Sequence, residues 1–292
     1  MLRRGLATLL VAVAVATAGC IPPEPDNDRV INFDPRRTTM GAIQEAGELI
    51  VGVERDVPPL STGSDAEDGL AARMAEEIAE ALGVEVRYVT GTTEELLRMP
   101  EEGEADVTFP FAPITERLVR THAVSDPYYV AHQKVLVRRD AGIATFEELD
   151  GTSMCSAMHA NTGSDLTKLL SEVRVRVSDL AGCRGMLVDR KVQAITAPDL
   201  VLAPLAAGSS FDPAPTEVIS DELNTEAYGA IVERSATAPM ADFVSSVLEE
   251  AQVEGRWSEW FEELVAPGLP GVPSDPPGLT VEEAAALYPR DL

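Results

Sequence analysis

Histidine, cysteine and serine are the residues most often used for metal binding or nucleophilic catalysis, and this chain uses them sparsely. The three histidines are His122, His132 and His159, and none lies at a metal-ligand spacing from a cysteine or another histidine. The sequence contains no nucleophile elbow, P-loop or dinucleotide-binding fingerprint. It therefore predicts a protein that is not an enzyme, with no catalytic residues, no metal and no cofactor.

The charge of the chain excludes a further class of partner. It carries 49 acidic and 23 basic residues, for a formal net charge of −26. Nucleic-acid binding depends on basic patches, so no nucleic-acid partner is predicted. We interpret the acidity as a solvated surface. A chain of 292 residues is long enough for two domains with separate cores.

The first twenty residues are typical of an export signal. Two arginines precede an apolar run at residues 6–18, which is too short to span a bilayer comfortably. The run ends in Thr17-Ala18-Gly19-Cys20, which resembles a lipobox, so residues 1–20 are predicted to be a lipoprotein signal peptide with lipid on Cys20. An ordinary secretory signal that ends in cysteine is the alternative. Residues 21–37 are rich in Pro, Asp and Arg and are expected to form a flexible tether.

Hydrophobic periodicity predicts alternating strands and helices in the next part of the chain. Residues 48–53 are a short apolar strand, and apolar residues recur every fourth position over residues 70–82, which predicts a helix ended by Gly83. Residues 84–90 alternate as a strand, and the following helix over residues 92–99 is expected to be broken by the proline at position 100. Because strand and helix alternate, we expect parallel strands joined by crossover helices.

Residues 105–129 carry the most informative pattern. An alternating strand at 107–111 leads to Ile-Thr-Glu-Arg at 114–117, and the stretch closes on Ser-Asp-Pro-Tyr-Tyr at 125–129. A strand, a loop with Ile-Thr, a helix and Phe-Ser-Asp-Pro-Tyr form the pattern of the family 3 extracytoplasmic solute-binding proteins, the receptors of polar amino-acid importers. The chain resembles this family over residues 41–264, and within it the amino-acid-binding lipoproteins of the glutamine type.

The resemblance implies an α/β fold of the type II periplasmic-binding kind. Two domains, each a mostly parallel sheet flanked by helices, would enclose a ligand cleft between them. The expected limits are residues 38–132 plus 227–265 for a discontinuous first domain and 133–226 for the second. Residues 266–292 would be a C-terminal extension.

The resemblance also pairs two cysteines. Cys155 and Cys183 lie in the exported part of the chain, where disulfides persist, whereas Cys20 is assigned to lipid. The glutamine-binding lipoproteins join a strand cysteine to the helix beside it, and we expect the same bond here. Two buried free thiols are the alternative.

The positions that carry charge in the family differ in this chain. In the family, an arginine and a helix N-terminus hold the α-carboxylate, an acidic side chain holds the α-ammonium, and aromatic faces sandwich the rest of the ligand. Ungapped alignment puts Leu118 at the arginine position, with Arg117 one residue early. Pro198 stands at the acidic position, with Asp199 next to it. A surface arginine and a helix cap are the alternative roles for Arg117 and Asp199.

Apolar residues replace the aromatic ligand-facing positions, so the mouth of the cleft is expected to be unusually apolar. Val57 and Leu70 stand at those positions, and residues 161–164 form a helix start that binds an anion or simply caps its helix. The candidate ligand-binding residues are Glu54, Val57, Leu70, Phe109, Phe111, Thr115, Arg117, Asn161, Thr162, Ser164 and Asp199.

Together these observations predict a monomeric, lipid-anchored solute-binding protein of an ABC importer on the outer face of the cytoplasmic membrane. Its small-molecule solute is expected to be less polar than an amino acid or otherwise atypical, because a zwitterion would lack charge partners in the cleft. Its protein partner would be an ABC permease. The alternative is a non-transport sensory or interaction lipoprotein with a degenerate site and a membrane sensor as partner.

Overall fold

The computed structural model describes residues 30–55, 57–62, 67–157, 170, 172–207, 215–219, 224–234, 240–266 and 278–287. The predicted signal peptide, the lipidation site Cys20 and the helix start at Asn161, Thr162 and Ser164 lie outside these residues. In the described part the chain forms two β-sheets with helices packed against them, which is the predicted α/β class.

The elements follow in chain order. The strands are β1 Glu48–Glu54, β2 Glu85–Gly91, β3 Val107–Phe109, β4 Ala123–Val124, β5 Tyr129–Arg138, β6 Ser153–Ala157, β7 Arg174–Ser178, β8 Ala194–Pro198, β9 Thr216–Ile219, β10 Thr225–Tyr228 and β11 Ile231–Val232. The α-helices are α1 Thr39–Ala46, α2 Leu70–Leu82, α3 Thr93–Glu102, α4 Glu116–Thr121, α5 Leu180–Val188, α6 Asp199–Ala207, α7 Met240–Val253, α8 Arg256–Leu264 and α9 Val281–Leu287. Two short 3-10 helices cover Arg139–Ala141 and Glu147–Leu149.

The first sheet has the strand order β2-β1-β3-β11-β4. Strand β1 pairs in parallel with β2 and with β3, as the alternation of strands and helices predicts. Strand β11 is antiparallel to β3 and β4 and returns the chain to this sheet after the second domain. Helix α2 ends at Gly83, whose φ of 69° is left-handed, in agreement with the predicted stop signal.

Helix α3 corrects one expectation. The helix does not break before Pro100 but continues through it to Glu102. Proline has no N–H to donate to the carbonyl four residues earlier, which belongs to Leu96. Thr108 Oγ1 donates to that carbonyl at 2.9 Å, so the neighbouring strand supplies the missing hydrogen bond. The proline also lies in the last turn, where few further helix bonds depend on it.

The second sheet has the strand order β10-β5-β8-β6-β7, with β9 also paired to β5. Strand β5 has ten residues and connects the two domains: its first half pairs with β10, and its second half pairs with β8 and β9. Helix α5 packs on this sheet and carries Cys183, which is bonded to Cys155 of β6 across a Cα–Cα distance of 5.4 Å. The predicted disulfide is therefore present, between a strand and the helix beside it.

The C-terminal helix α9 is an element that the sequence analysis did not identify. It begins with a capping box in which Thr280 and Glu283 exchange hydrogen bonds. Asp126 Oδ1 accepts the N–H of Val281 at 2.7 Å, which ties the helix start to the Ser-Asp-Pro-Tyr segment. Its buried residues Ala284 and Ala285 join an apolar cluster with Ile114, Leu118, Val124, Ala227 and Ile231. The helix thus docks on α4 and β10.

No helix within the described ranges combines the length and the hydropathy needed to cross a membrane.

Docking of α9 gives a direct test of its contribution to stability. Ala284→Asp places a carboxylate in the apolar cluster, so we expect the free energy of unfolding to fall by about 2–4 kcal/mol. The loss cannot exceed the free energy with which α9 docks, because the helix can detach and expose the carboxylate to water. Ala286→Asp on the exposed side of the same helix is the matched control and should change stability by less than about 0.5 kcal/mol. Urea denaturation of both variants measures the difference, and equal effects would contradict the docking.

Candidate functional site: the region between the two domains

Glu54 lies where three neighbouring strands end. Thr93, which follows β2, donates its hydroxyl to both carboxylate oxygens at 2.9 and 2.8 Å. The N–H of Phe111, just after β3, donates to Oε2 at 3.0 Å. The carboxyl ends of β2, β1 and β3 therefore meet at this carboxylate, at the edge where open α/β sheets bind ligands. Burial raises the pKa of Glu54, and these hydrogen bonds offset only part of that effect.

Aromatic rings fill the space beside Glu54. The rings of Phe111 and Tyr228 stack with centroids 4.6 Å apart and planes at 12°. Phe109 and Tyr128 meet edge to face with centroids 5.8 Å apart. The Tyr128 hydroxyl is buried and has no hydrogen-bond partner among the described residues. Burial raises the pKa of Tyr128, and the charge of Glu54 acts in the same direction.

Asp199 occupies the first position of α6, and its side chain is fully buried. Its Oδ1 accepts the Tyr129 hydroxyl at 3.2 Å and the N–H of Leu200 at 2.7 Å. Its Oδ2 lies 3.5 Å from His132 Nδ1, an ion pair only when the histidine is protonated. The next two residues of α6, Leu200 and Val201, belong to the hydrophobic core of the first domain. Asp199 therefore lies at the contact between the two domains.

Glu226 lies on β10 and is also fully buried. The Tyr228 hydroxyl donates to its Oε2 at 2.6 Å. Burial raises the pKa of Tyr228, and the charges of Glu226 and Asp199 act in the same direction. We call Glu54, Asp199 and Glu226 the acidic cluster, because their charges act on the neighbouring buried tyrosines Tyr128, Tyr129 and Tyr228.

The segment that aligns with the family's carboxylate-binding arginine is turned away from this cluster. Thr115 caps α4 by accepting the N–H of Leu118 at 3.1 Å. The Leu118 side chain is 8% exposed and lies in the apolar cluster with Ala284 and Ala285 of α9. Arg117 is exposed on α4. The Arg117 side chain faces solvent in this structure, so a role for Arg117 in ligand binding stays a prediction.

The structure packs the apolar candidates into the first core. Val57, Leu70, Phe109 and Phe111 are all buried in the same hydrophobic cluster as α2 and β1. They present no exposed apolar surface at the mouth of a cleft in this conformation, and a contact with solute stays a prediction for each of them. Among the candidates in the described residues, the structure places Glu54, Phe109, Phe111 and Asp199 around the buried tyrosines.

Sequence reasoning missed several polar residues in this region. Glu226, Tyr228 and Tyr128 were not among the candidates, and neither were His132 and Gln133. The strand pairing would have identified these residues. Strands β5 and β10 connect the two domains, so polar residues on them lie beside the cleft. The described residues contain no group of three or more His, Cys, Asp or Glu placed to hold a metal ion.

Burial of Glu54 predicts a measurable pH dependence. A raised pKa means that the folded protein holds the proton more tightly than the unfolded chain. Stability from this group is therefore fully present below pH 4.5, the ordinary value, and is lost as the pH rises through the folded pKa. Glu54→Gln removes the titration, so we expect it to gain stability relative to the unmodified protein between pH 4 and pH 7. Urea denaturation across that range, with the exposed Glu45→Gln as control, would contradict this if both variants behaved alike.

The chain is similar in sequence to a known family of binding proteins. Residues 49–265 match the model of the bacterial extracellular solute-binding proteins, family 3. The glutamine-binding protein of Geobacillus stearothermophilus is 26% identical over 185 residues, which is 58% of this chain and 70% of that protein. The ABC transporter glutamine-binding protein GlnH of Bacillus subtilis (strain 168) is 23% identical over 240 residues, 80% of this chain and 86% of that protein.

Solved structures have the same fold. A mutant of ArgBP from T. maritima superposes with a TM-score of 0.66 at 25% identity, covering 78% of this chain and 99% of that one. An ancestral amino-acid-binding protein, described as a precursor of cyclohexadienyl dehydratase, gives a TM-score of 0.66 at 21% identity over 78% of this chain and all of that one, and shows the fold alone. The family match covers most of the chain, and the two-domain α/β fold agrees with it. The protein belongs to the bacterial extracellular solute-binding proteins of family 3.

Proposed function

We propose that this protein is the lipid-anchored receptor of an ABC importer, and that its solute is not a standard polar amino acid. It acts as a monomer on the outer face of the cytoplasmic membrane and delivers the solute to an ABC permease. Family membership and relatives named as glutamine-binding proteins support a receptor role. We keep residues 38–132 plus 227–265 and residues 133–226 as the proposed limits of the two domains.

One observation supports the altered pocket above all others. Leu118 stands where the family has an arginine for the α-carboxylate, and its side chain packs against α9 instead of facing the acidic cluster. An amino acid in this cleft would bury its carboxylate without that partner. A hydrogen bond to a charged group is worth roughly 1.5–3 kcal/mol, so binding should be weaker by about tenfold to a hundredfold from this loss alone.

Calorimetry with glutamine, glutamate, arginine and histidine tests the proposal. We expect no micromolar dissociation constant for any of the four, because each carries an α-carboxylate. Arg117→Ala is the companion variant: if an amino acid binds at micromolar concentration and this variant loses it, the exposed arginine has moved into the place of Leu118. Micromolar binding by any of the four contradicts the altered pocket.

A thermal-shift screen supplies the positive arm of the same test. Peptides, organic acids and amines are added at saturating concentration, where a ligand at 100 times its dissociation constant stabilises the folded state by about 2.7 kcal/mol. A receptor should be stabilised by at least one solute. A screen with no stabilising solute favours the second candidate, a sensory or interaction lipoprotein with a degenerate site, which the replacement of the arginine by Leu118 also fits.

The proposed anchor has its own test. Cys20→Ser removes the thiol that would carry the acyl chains and leaves unchanged the packing of Phe33 against Phe243 in the core of the first domain, so we expect the variant to leave the membrane fraction without unfolding. Cell fractionation and the melting temperature of the soluble variant measure both parts. Processed protein that stays in the membrane fraction after this change would contradict lipid anchoring at Cys20.

A further inference from the structure

We propose that the solute is an organic cation, an amine or a guanidinium compound without a carboxylate, held by Glu54 and Asp199 of the acidic cluster. This inference rests on the proposed receptor function and names its class of solute. Four observations support it: the carboxylates of Glu54 and Asp199 form no ion pair with a described lysine or arginine, buried acceptor atoms lack donors, aromatic rings lie beside both carboxylates, and Leu118 is packed against α9.

The charges around Glu54 and Asp199 are unbalanced. Within the described ranges, neither carboxylate forms an ion pair with a lysine or an arginine. Among the described residues, the basic group within ion-pair distance of Asp199 is His132, whose Nδ1 lies 3.5 Å from Oδ2. Burying a carboxylate is costly unless a cation or several donors accompany it. A cationic solute would supply the missing charge.

Buried acceptor atoms without a hydrogen-bond partner give independent support for a cationic solute, because only a hydrogen-bond donor can satisfy them. Asp199 Oδ2 and Gln133 Oε1 are buried acceptors without a hydrogen-bond partner among the described residues. Gln133 pairs with Pro198 across the sheet, directly beside Asp199, and its amide nitrogen already donates to Thr196 Oγ1 at 2.8 Å. Ammonium and guanidinium groups carry only donors, whereas a carboxylate carries only acceptors. These buried oxygens therefore suit a cation and not an anion.

The aromatic residues fit the same class of solute. The stacked pair Phe111 and Tyr228 lies next to Glu54, because the N–H of Phe111 bonds that carboxylate. Tyr129 lies next to Asp199 through its hydroxyl. Aromatic faces attract ammonium and guanidinium groups within about 6 Å by roughly 0.5–2 kcal/mol. Carboxylates and rings together are a common means of holding an organic cation.

Position 118 explains why a carboxylate would be excluded. A carboxylate directed to α4 would meet the buried Leu118 and the two alanines of α9 in place of a guanidinium. It would lose its hydration there without gaining a partner. A solute without a carboxylate avoids this cost.

Three matched pairs of compounds isolate the carboxylate. Agmatine and L-arginine, cadaverine and L-lysine, and histamine and L-histidine differ only in whether that group is present. Isothermal titration calorimetry with the full mature chain should give at least one amine that binds ten times more tightly than its amino acid.

Variants assign the effect to the cluster. Glu54→Gln and Asp199→Asn should each weaken binding of that amine at least tenfold, and the exposed Glu45→Gln should leave it unchanged. If Asp199→Asn fails to fold, Glu54→Gln alone decides, because its carboxylate is only partly buried. Unchanged affinity in a folded Glu54→Gln variant would overturn the assignment.

The outcomes separate this inference from the proposed receptor function. Tighter binding of an amino acid than of its amine overturns the cation class and leaves the receptor in place. The same conclusion follows if no amine binds but another solute stabilises the protein in the thermal-shift screen. If no solute of any class binds, both the inference and the receptor function are overturned.

Discussion

The pairing of β5 with its neighbours is the interaction on which the rest of this structure depends. One ten-residue strand pairs with β10 through its first half and with β8 and β9 through its second half. Its side chains therefore reach both domains: Tyr129 packs among the first domain's aromatic rings, and Gln133 bonds Thr196 of the second. Any change in the angle between the domains must bend this strand or its partner β10.

This arrangement explains why acidic groups converge between the domains. Parallel strands of the first sheet end at Glu54, the connecting strand β10 carries Glu226, and α6 of the second domain begins with Asp199. Each carboxylate accepts donors from the protein; Asp199 and Glu226 are fully buried, and Glu54 is partly buried. The cost of burying these groups must be offset by packing of the surrounding cores.

The sequence alone predicted the fold because local patterns and topology agree. The helix at α2, its stop at Gly83, the parallel strands and the Cys155–Cys183 bond all follow from short patterns or from the family resemblance. The exceptions involve partners distant in the chain. The helix passes through Pro100 because a strand threonine satisfies the carbonyl that the proline leaves free, and no local pattern shows that.

The site was harder to predict for the same reason. Alignment located Leu118, but only the structure shows what it contacts, and α9 lies more than 150 residues further along the chain. A capping box at Thr280 and Glu283 was a readable signal for that helix. Glu226 and Tyr228 look like ordinary strand residues until the pairing of β10 with β5 places them between the domains.

Leu118 and α9 are best understood together. Leu118 is buried because α9 covers it, and α9 docks because α4 offers an apolar face and Asp126 caps its first N–H. An arginine at position 118 would bring a guanidinium into the apolar cluster that contains Ala284 and Ala285, so its side chain would have to turn to solvent or displace the helix. Under the proposed function, the loss of the arginine and the docking of the C-terminal helix are therefore linked. Restoring the arginine would also require moving α9, because Leu118 packs in the same apolar cluster as Ala284 and Ala285.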